Sequence, residues 1–352
     1  MIYAHIPFCR SKCPYCGFNS FAVLNPPQKA YVAALIRQFE ADLELCGCDR
    51  FDSLYVGGGT PSIFAAVSYE PFFAKISPFL RGDAEITIEA NPSSLTLDWA
   101  KTMRSYGVNR VSIGVQSFND RKLKFLGRDH NAAQARGAVE NARKAGFEQI
   151  SVDFIYGAAI DTRALLLDDL KAAKSFGATH VSAYCLTIEE NAPFFAKPEF
   201  ASNDSELERE FSRAIEAAGY PRYEVSNYGK TISRHNLGYW EGRGYLGLGA
   251  GAVGFIDRGE SAFRYSPRRA PQGYIDDPLD KTTEIIDRAA LNDERLMLGL
   301  RCFTGFEAGV LSQKETQKAE FLVDRSLLNR GENRYRNADF WLSDEIWLYI
   351  KS

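Results

Sequence analysis

Three cysteines fall within eight residues near the start of the chain, in Cys9-Arg10-Ser11-Lys12-Cys13-Pro14-Tyr15-Cys16. The spacing C-x3-C-x2-C places three soft sulfur donors on one short loop, where they can converge on a soft metal centre. A structural zinc site takes four ligands, and His5 supplies a fourth only by folding back along its own strand. A four-iron cluster also takes four thiolates as a rule; three local ones leave one iron free for a ligand that is not protein. The other four of the seven cysteines form no such group. Cys46 and Cys48 read as a helix end with incidental thiols, and Cys185 and Cys302 as buried small residues.

A repeating texture must position that loop. Apolar, β-branched runs end in polar or glycine-rich segments and are followed by amphipathic helical stretches. The runs are Ile2 to Ile6, Ser53 to Val56, Glu85 to Glu89, Arg110 to Ile113, Ile150 to Ile155 and His180 to Leu186. The first helix begins near Pro27, with Tyr31, Leu35, Ile36, Phe39 and Leu43 at helical spacing. Ala132 to Lys144 and Leu165 to Lys174 are further helices. Strand and helix alternating in units of roughly 30 residues predict βαβ units and a parallel sheet. The fold class is therefore α/β: such a chain winds into a barrel or makes a doubly wound sheet, and the expectation is the former, a partial TIM-like barrel of six (β/α) units. After Leu186 the regularity fades, and Ala338 to Ile350 reads as short strands.

In such a barrel, ligands sit at the C-terminal ends of strands. The cysteine loop follows the first run. Gly57-Gly58-Gly59-Thr60-Pro61 follows the second, where glycines let backbone approach a ligand. Glu89 ends the third, Gln116 follows the fourth with Arg128 on the next loop, and Asp153 lies in the fifth. Singly each is an ordinary loop residue; together they make a rim.

Composition excludes several classes. The 352 residues carry 42 Lys+Arg against 45 Asp+Glu, a net charge of −3. A chain so balanced does not bind nucleic acid by bulk attraction to phosphates. No stretch approaches the ~18 apolar residues of a membrane span, and the N-terminus lacks a secretory signal. The expected location is the cytoplasm, with transient membrane contact. Thiols stay reduced there, so the odd cysteine count does not imply disulfides.

The cysteine motif, with an aromatic residue just before its last member, resembles the radical S-adenosylmethionine superfamily. That resemblance implies a [4Fe–4S] cluster on Cys9, Cys13 and Cys16, with Tyr15 near the adenine of S-adenosylmethionine. Further stretches resemble the oxygen-independent coproporphyrinogen oxidases and their relatives: Tyr3 to Cys9, Gly57 to Pro61, Ile88 to Pro92, Gly114 to Phe118 and Leu126 to Arg128. By carry-over, Tyr3, Gly58, Gly59, Thr60, Glu89, Gln116, Arg128 and Asp153 contact S-adenosylmethionine. The implied chemistry is one-electron reduction of the sulfonium with release of a 5′-deoxyadenosyl radical.

Two departures turn the expectation away from the oxidase. The oxidase has a further cysteine two residues after the third, where Phe18 stands here, and it carries an extension before its first strand. His235-Asn236-Leu237-Gly238-Tyr239-Trp240 instead matches the H-N-x-x-Y-W signature of the HemW-type haem chaperones. This resemblance implies haem as a ligand. It also implies apo-haemoproteins as acceptors, membrane respiratory proteins among them, and leaves homodimerisation open. Neutral imidazole is a usual haem ligand. Of the four histidines, His5, His130, His180 and His235, the last is the haem candidate; a packed histidine at a domain junction is the other reading.

These observations divide the chain into the barrel at 1–220, a connecting region with the H-N-x-x-Y-W motif at 221–286 and a small, mainly helical C-terminal domain at 287–352. Gly249-Ala250-Gly251-Ala252-Val253-Gly254 fits G-x-G-x-x-G but precedes no helix. It reads as a wall beside the ligand cavity.

Overall fold

The computed structural model describes residues 1–190, 192–259 and 261–352. Six strands lie side by side in chain order, all parallel: β1 (Ile2–Ile6), β2 (Phe51–Gly58), β3 (Leu80–Ala90), β4 (Arg110–Gln116), β5 (Gln149–Tyr156) and β6 (His180–Cys185). Helices α1 (Gln28–Cys46), α2 (Glu70–Ile76), α3 (Leu97–Ser105), α4 (Asp120–Phe125), α5 (Ala132–Lys144) and α6 (Arg163–Phe176) run between them, and α7 (Ser205–Ala217) follows β6. This is the partial (β/α)6 barrel that the spacing predicts. Two short strands extend it. β7 (Asn227–Gly229) runs antiparallel to β6, and β8 (Leu246–Leu248) runs parallel to β1.

Alternation within each strand makes the barrel two-sided. In β4, Val111, Ile113 and Val115 are fully buried in the layer beneath the helices, while Arg110, Ser112, Gly114 and Gln116 line the interior. β5 and β6 repeat the pattern, with Ser151 and Asp153, then His180, Ser182 and Tyr184, turned inward. The outer layer is closed by α1, whose Tyr31, Leu35 and Phe39 are fully buried. Pro27 precedes that helix, and Gly47 ends it in the left-handed region at φ 61°, which is the cap read from Cys46 and Cys48.

Helix α8 (Arg234–Trp240) holds the whole H-N-x-x-Y-W motif. It packs on β2 and closes the barrel from below. Glu85, 3% exposed and inside β3, caps its N-terminus. The Glu85 carboxylate accepts from the backbone N–H groups of Arg234 and His235, both at 3.0 Å, and from Ser233 Oγ at 3.3 Å. A carboxylate here satisfies donors the helix cannot and meets the positive end of its dipole.

Beyond the barrel, β9 (Gly254–Asp257), β10 (Ala262–Pro267) and β11 (Lys281–Ile286) form an antiparallel sheet, with α9 (Pro271–Asp276) between the last two strands. The glycine run before β9 is not a cavity wall. It passes behind β1, where Gly249 N–H donates to Gln38 Oε1 and Ala250 N–H to Tyr31 Oη.

The C-terminal part joins α10 (Arg288–Gly299), β12 (Phe306–Glu307), α11 (Gln313–Asp324), β13 (Leu328–Arg330), β14 (Arg334–Asn337) and α12 (Ser343–Lys351) around its own apolar cluster of Leu296, Leu300, Phe306, Leu322, Ile346 and Ile350. The strands expected within Ala338 to Ile350 are a helix instead. Ser343, Ile346 and Ile350 share its buried face, with Asp344 and Glu345 in its first turn and Lys351 in its last.

The cap on α8 yields a stability prediction. Glu85→Ala leaves buried donors without an acceptor and is expected to cost about 2–4 kcal/mol, with Glu85→Gln costing less. Urea midpoints at unchanged slope measure it; a loss below about 0.5 kcal/mol would mean the helix end is satisfied otherwise.

Candidate functional site

The cysteine loop leaves β1 and is folded back on itself by a two-residue ladder, Phe8–Cys9 beside Phe21–Ala22. Phe21 N–H donates to Pro7 O at 2.7 Å and Val23 N–H to Cys9 O at 2.9 Å. A tight turn, Cys16 N–H to Cys13 O at 3.1 Å, brings the second pair of thiols round. Cys9, Cys13 and Cys16 are free, half-buried and on the wall of one cavity of about 710 Å³. Thr60 Oγ1 donates to Cys9 Sγ at 3.4 Å, and Arg128 Nη1 donates to Cys13 Sγ at 3.2 Å. Burial pushes the Cys9 thiol above its ordinary range, with Thr60 opposing. Donors aimed at sulfur suit thiolate ligands, so this set fits an iron–sulfur cluster. Among the described residues, no three His, Cys, Asp or Glu side chains are gathered tightly enough to enclose a single metal ion.

His5 takes no part. Its Nδ1 meets Tyr3 Oη at 2.8 Å and its Nε2 meets Asn19 O at 2.9 Å, so neither nitrogen is open to a metal. The glycine turn after β2 is the reason the loop can settle so closely. At Gly58, with φ 118°, a Cβ would stand 2.5 Å from His5 Nδ1; at Gly59 it would stand 2.7 Å from Phe8 O and 3.0 Å from Cys9 Sγ.

Four further polar side chains face the same space. Glu89 accepts from Tyr55 Oη at 2.8 Å and from Gly58 N–H at 3.0 Å. Burial pushes its carboxyl up to about 7, against those two hydrogen bonds. Asp153 accepts from Ser112 Oγ at 3.0 Å, and burial pushes it up to about 6. Gln116 sits at φ 62°, where the β4–β5 register shifts; such backbone in a residue other than glycine is held by its surroundings. Arg128 ties the layers together, with Nη1 toward Cys13 and, at 3.4 Å, Tyr15 Oη, and Nη2 to Gly114 O at 2.9 Å.

Behind this loop lies a fully buried ion pair. Lys122 in α4 meets Asp161 of the β5–α6 loop at 2.6 Å, with neither side chain exposed. Asp169 of α6 accepts Ser117 Oγ and, at 2.6 Å, Phe118 N–H. The segment that carries Arg128 is thereby fixed to the next unit of the barrel.

Of the residues singled out from sequence, Tyr15, Gly58, Gly59, Thr60, Glu89, Gln116, Arg128 and Asp153 line the cavity with the cysteines. Tyr3 lies behind it, with its hydroxyl spent on His5. His235 is fully buried in α8. Its Nδ1 is held by Ser53 Oγ at 2.8 Å and its Nε2 by Tyr239 Oη at 3.0 Å, and its ring packs on Tyr55. Burial pushes it down to about 3. It is a neutral packed histidine with no lone pair turned outward, not an exposed haem ligand. Asn236 of the same motif does reach the cavity. Cys302 is buried as expected, but Cys185 is exposed at the cavity wall, because it ends β6 at the open rim. Thr87, Arg110, Ser112, Ser151, His180, Ser182 and Tyr184 also line the space. Their signal was present as a polar residue at every second position of the strands.

Comparison with known proteins accords with this geometry. The model of the radical SAM superfamily matches residues 3–172. The haem chaperone HemW of Haemophilus influenzae is 38% identical, covering 78% of this chain and 75% of its own. That of Lactococcus lactis is 34% identical over 90% and 84%, and that of Bacillus subtilis 32% over 94% and 90%. Among solved structures, coproporphyrinogen III oxidase (HemN) of Escherichia coli superposes with a TM-score of 0.79 at 21% identity, over all of this chain and 89% of that one. At that identity the likeness is one of fold.

Glu89 yields a pH prediction. Its ordinary value is 4.5 and its folded value about 7. Between these the folded chain holds a proton that the unfolded chain has lost, so this group's contribution to stability falls as pH rises through the window. Glu89→Gln copies the protonated form. The stability of the wild type relative to this variant is expected to drop from about pH 5 to about pH 8. A difference in urea midpoint that stays flat over that range would remove the shift.

Proposed function

We propose, from the premise that this chain belongs to the HemW family of the radical S-adenosylmethionine superfamily, that it is a haem chaperone: it binds haem and passes it to apo-haemoproteins. The observation that carries this reading is the identity of 31–38% to haem chaperones named HemW over most of both chains. Phe18, 70% exposed beside the three cysteines, supports it, since it stands where the oxidase pattern carries another thiol. Membrane respiratory proteins remain among the acceptors proposed. No helix among the described residues is long and apolar enough to cross a membrane.

In this reading Cys9, Cys13 and Cys16 hold a [4Fe–4S] cluster, and S-adenosylmethionine lies against Gly58 to Thr60, Glu89, Gln116, Arg128 and Asp153. The chemistry such a pair supplies is one-electron reduction of a sulfonium. The protein's own part is to orient and to exclude water. Arg128 holds Cys13 and Tyr15 in register, Glu89 fixes the glycine turn through Gly58, and α8 seals the lower end of the barrel.

The test is a haem titration of the anaerobically reconstituted protein. A saturable Soret shift at micromolar haem is expected, together with no steady conversion of coproporphyrinogen under reducing conditions. No Soret shift would overturn the chaperone reading, and sustained conversion would replace it with the oxidase. His235→Ala is expected to lower thermal stability by breaking the Ser53–His235–Tyr239 chain and to leave the Soret shift in place.

A further inference from the structure

The barrel floor carries a buried guanidinium, Arg110, that makes no salt bridge among the described residues. Among the described residues only two lysine or arginine side chains are shut off from solvent, Lys122 at 0% and Arg110 at 2% exposure. Burying a charge is costly unless it is paired and hydrogen-bonded. Lys122 is at least charge-paired, with Asp161 at 2.6 Å, although neither its Nζ nor Asp161 Oδ1 makes a hydrogen bond. Arg110 is not: it takes part in no salt bridge among the described residues. Its Nη1 donates to Gln149 Oε1 at 3.0 Å, and its buried Nη2 has no hydrogen-bond partner.

The surroundings of Arg110 are built for a ligand. Thr87, its register partner across the β3–β4 ladder, is fully buried, lines the same cavity and leaves Oγ1 unpartnered. Asp153, the carboxyl facing the cavity from β5, accepts Ser112 Oγ and feels the Arg110 charge without pairing to it. His180 is closed off by Ser151 at 2.7 Å and Tyr223 at 2.8 Å; burial and Arg110 together hold it neutral. Among the fully buried side-chain atoms on this floor, the donors without a partner are Arg110 Nη2 and Thr87 Oγ1. Arg110 opens β4 and Gln116 closes it, so the floor lies at the end of the strand opposite the cysteine loop.

We propose that Arg110 and Thr87 form an anion subsite on the barrel floor, which receives a carboxylate of the molecule that enters the barrel. Two donors on one nitrogen with a hydroxyl beside them suit the two oxygens of a carboxylate. A porphyrin propionate and the carboxylate of a small free acid share this chemistry. The subsite stands on its own geometry; only its use by a porphyrin rests on the chaperone reading.

The experiment uses the reconstituted holoprotein and reads melting temperature against added propionate, with propionamide as the neutral control. The wild type should rise saturably with propionate alone, and Arg110→Met and Thr87→Val should lose that response. Arg110→Met is expected to fold, since it removes an unpaired buried charge. Should it not, Arg110→Lys, which keeps the charge but loses the fork, takes its place beside Thr87→Val. An equal propionate response in wild type and variants overturns the subsite, whatever haem does. The source is read by two ligand pairs. If the carboxylate is a propionate, haem binds the wild type about tenfold more tightly than its dimethyl ester, and Arg110→Met removes the preference. If it belongs to a small free acid, haem and its dimethyl ester bind the wild type alike while propionate still raises its melting temperature. An Arg110→Met variant that keeps the propionate response and the haem preference also overturns the proposal.

Discussion

Six parallel strands do not close a barrel, and the open side between β8 and β7 imposes a condition on everything inside it. Interior polar groups must find partners that a complete ring of strands would not have needed to supply. At the lower end the partner is α8, a helix of seven residues set under the strands. Its N-terminal donors satisfy the Glu85 carboxylate, and its histidine satisfies Ser53. At the upper end the partners are loops. Arg128 spans Cys13, Tyr15 and Gly114, and the glycine turn after β2 leaves room for the cysteine loop to close. An incomplete wall thus becomes a cavity sealed below and reachable above.

The two ends also divide the electrostatics. Near the rim, carboxyls sit in a space dry enough to push Glu89 and Asp153 toward neutrality. At the floor stands the Arg110 guanidinium, held by Gln149 and by no carboxylate. A ligand entering this space meets the two carboxyls and Arg128 near the rim and Arg110 at the floor.

Much of the rim was legible in the sequence, because its residues cluster where apolar runs stop. Cys9, Cys13 and Cys16 are adjacent in the chain, and strand ends are where such barrels place ligands. The floor was harder to read. Arg110-Val111-Ser112-Ile113 passes as one more apolar run, since parallel strands are usually buried on both faces. Only the alternation shows that one face is wet. His235 misled for another reason. A motif can mark kinship while its histidine spends both nitrogens on packing, and that choice is made by Ser53 and Tyr239, far away or one turn on. The C-terminal stretch misled through its aromatic residues, whose strand preference yields to the helical spacing of Ile346 and Ile350.

The Lys122–Asp161 pair has a bearing on how such a chain can drift. Each charge is tolerable only because the other is there, so losing one strands its partner in a dry interior. Any lineage that changes one position must pass through a poorly folded intermediate or change both nearly at once. Helix α4, which leads into the Arg128 loop, and the loop after β5 are thereby coupled. That linkage protects the geometry around Cys13 without either loop touching a ligand through the pair itself.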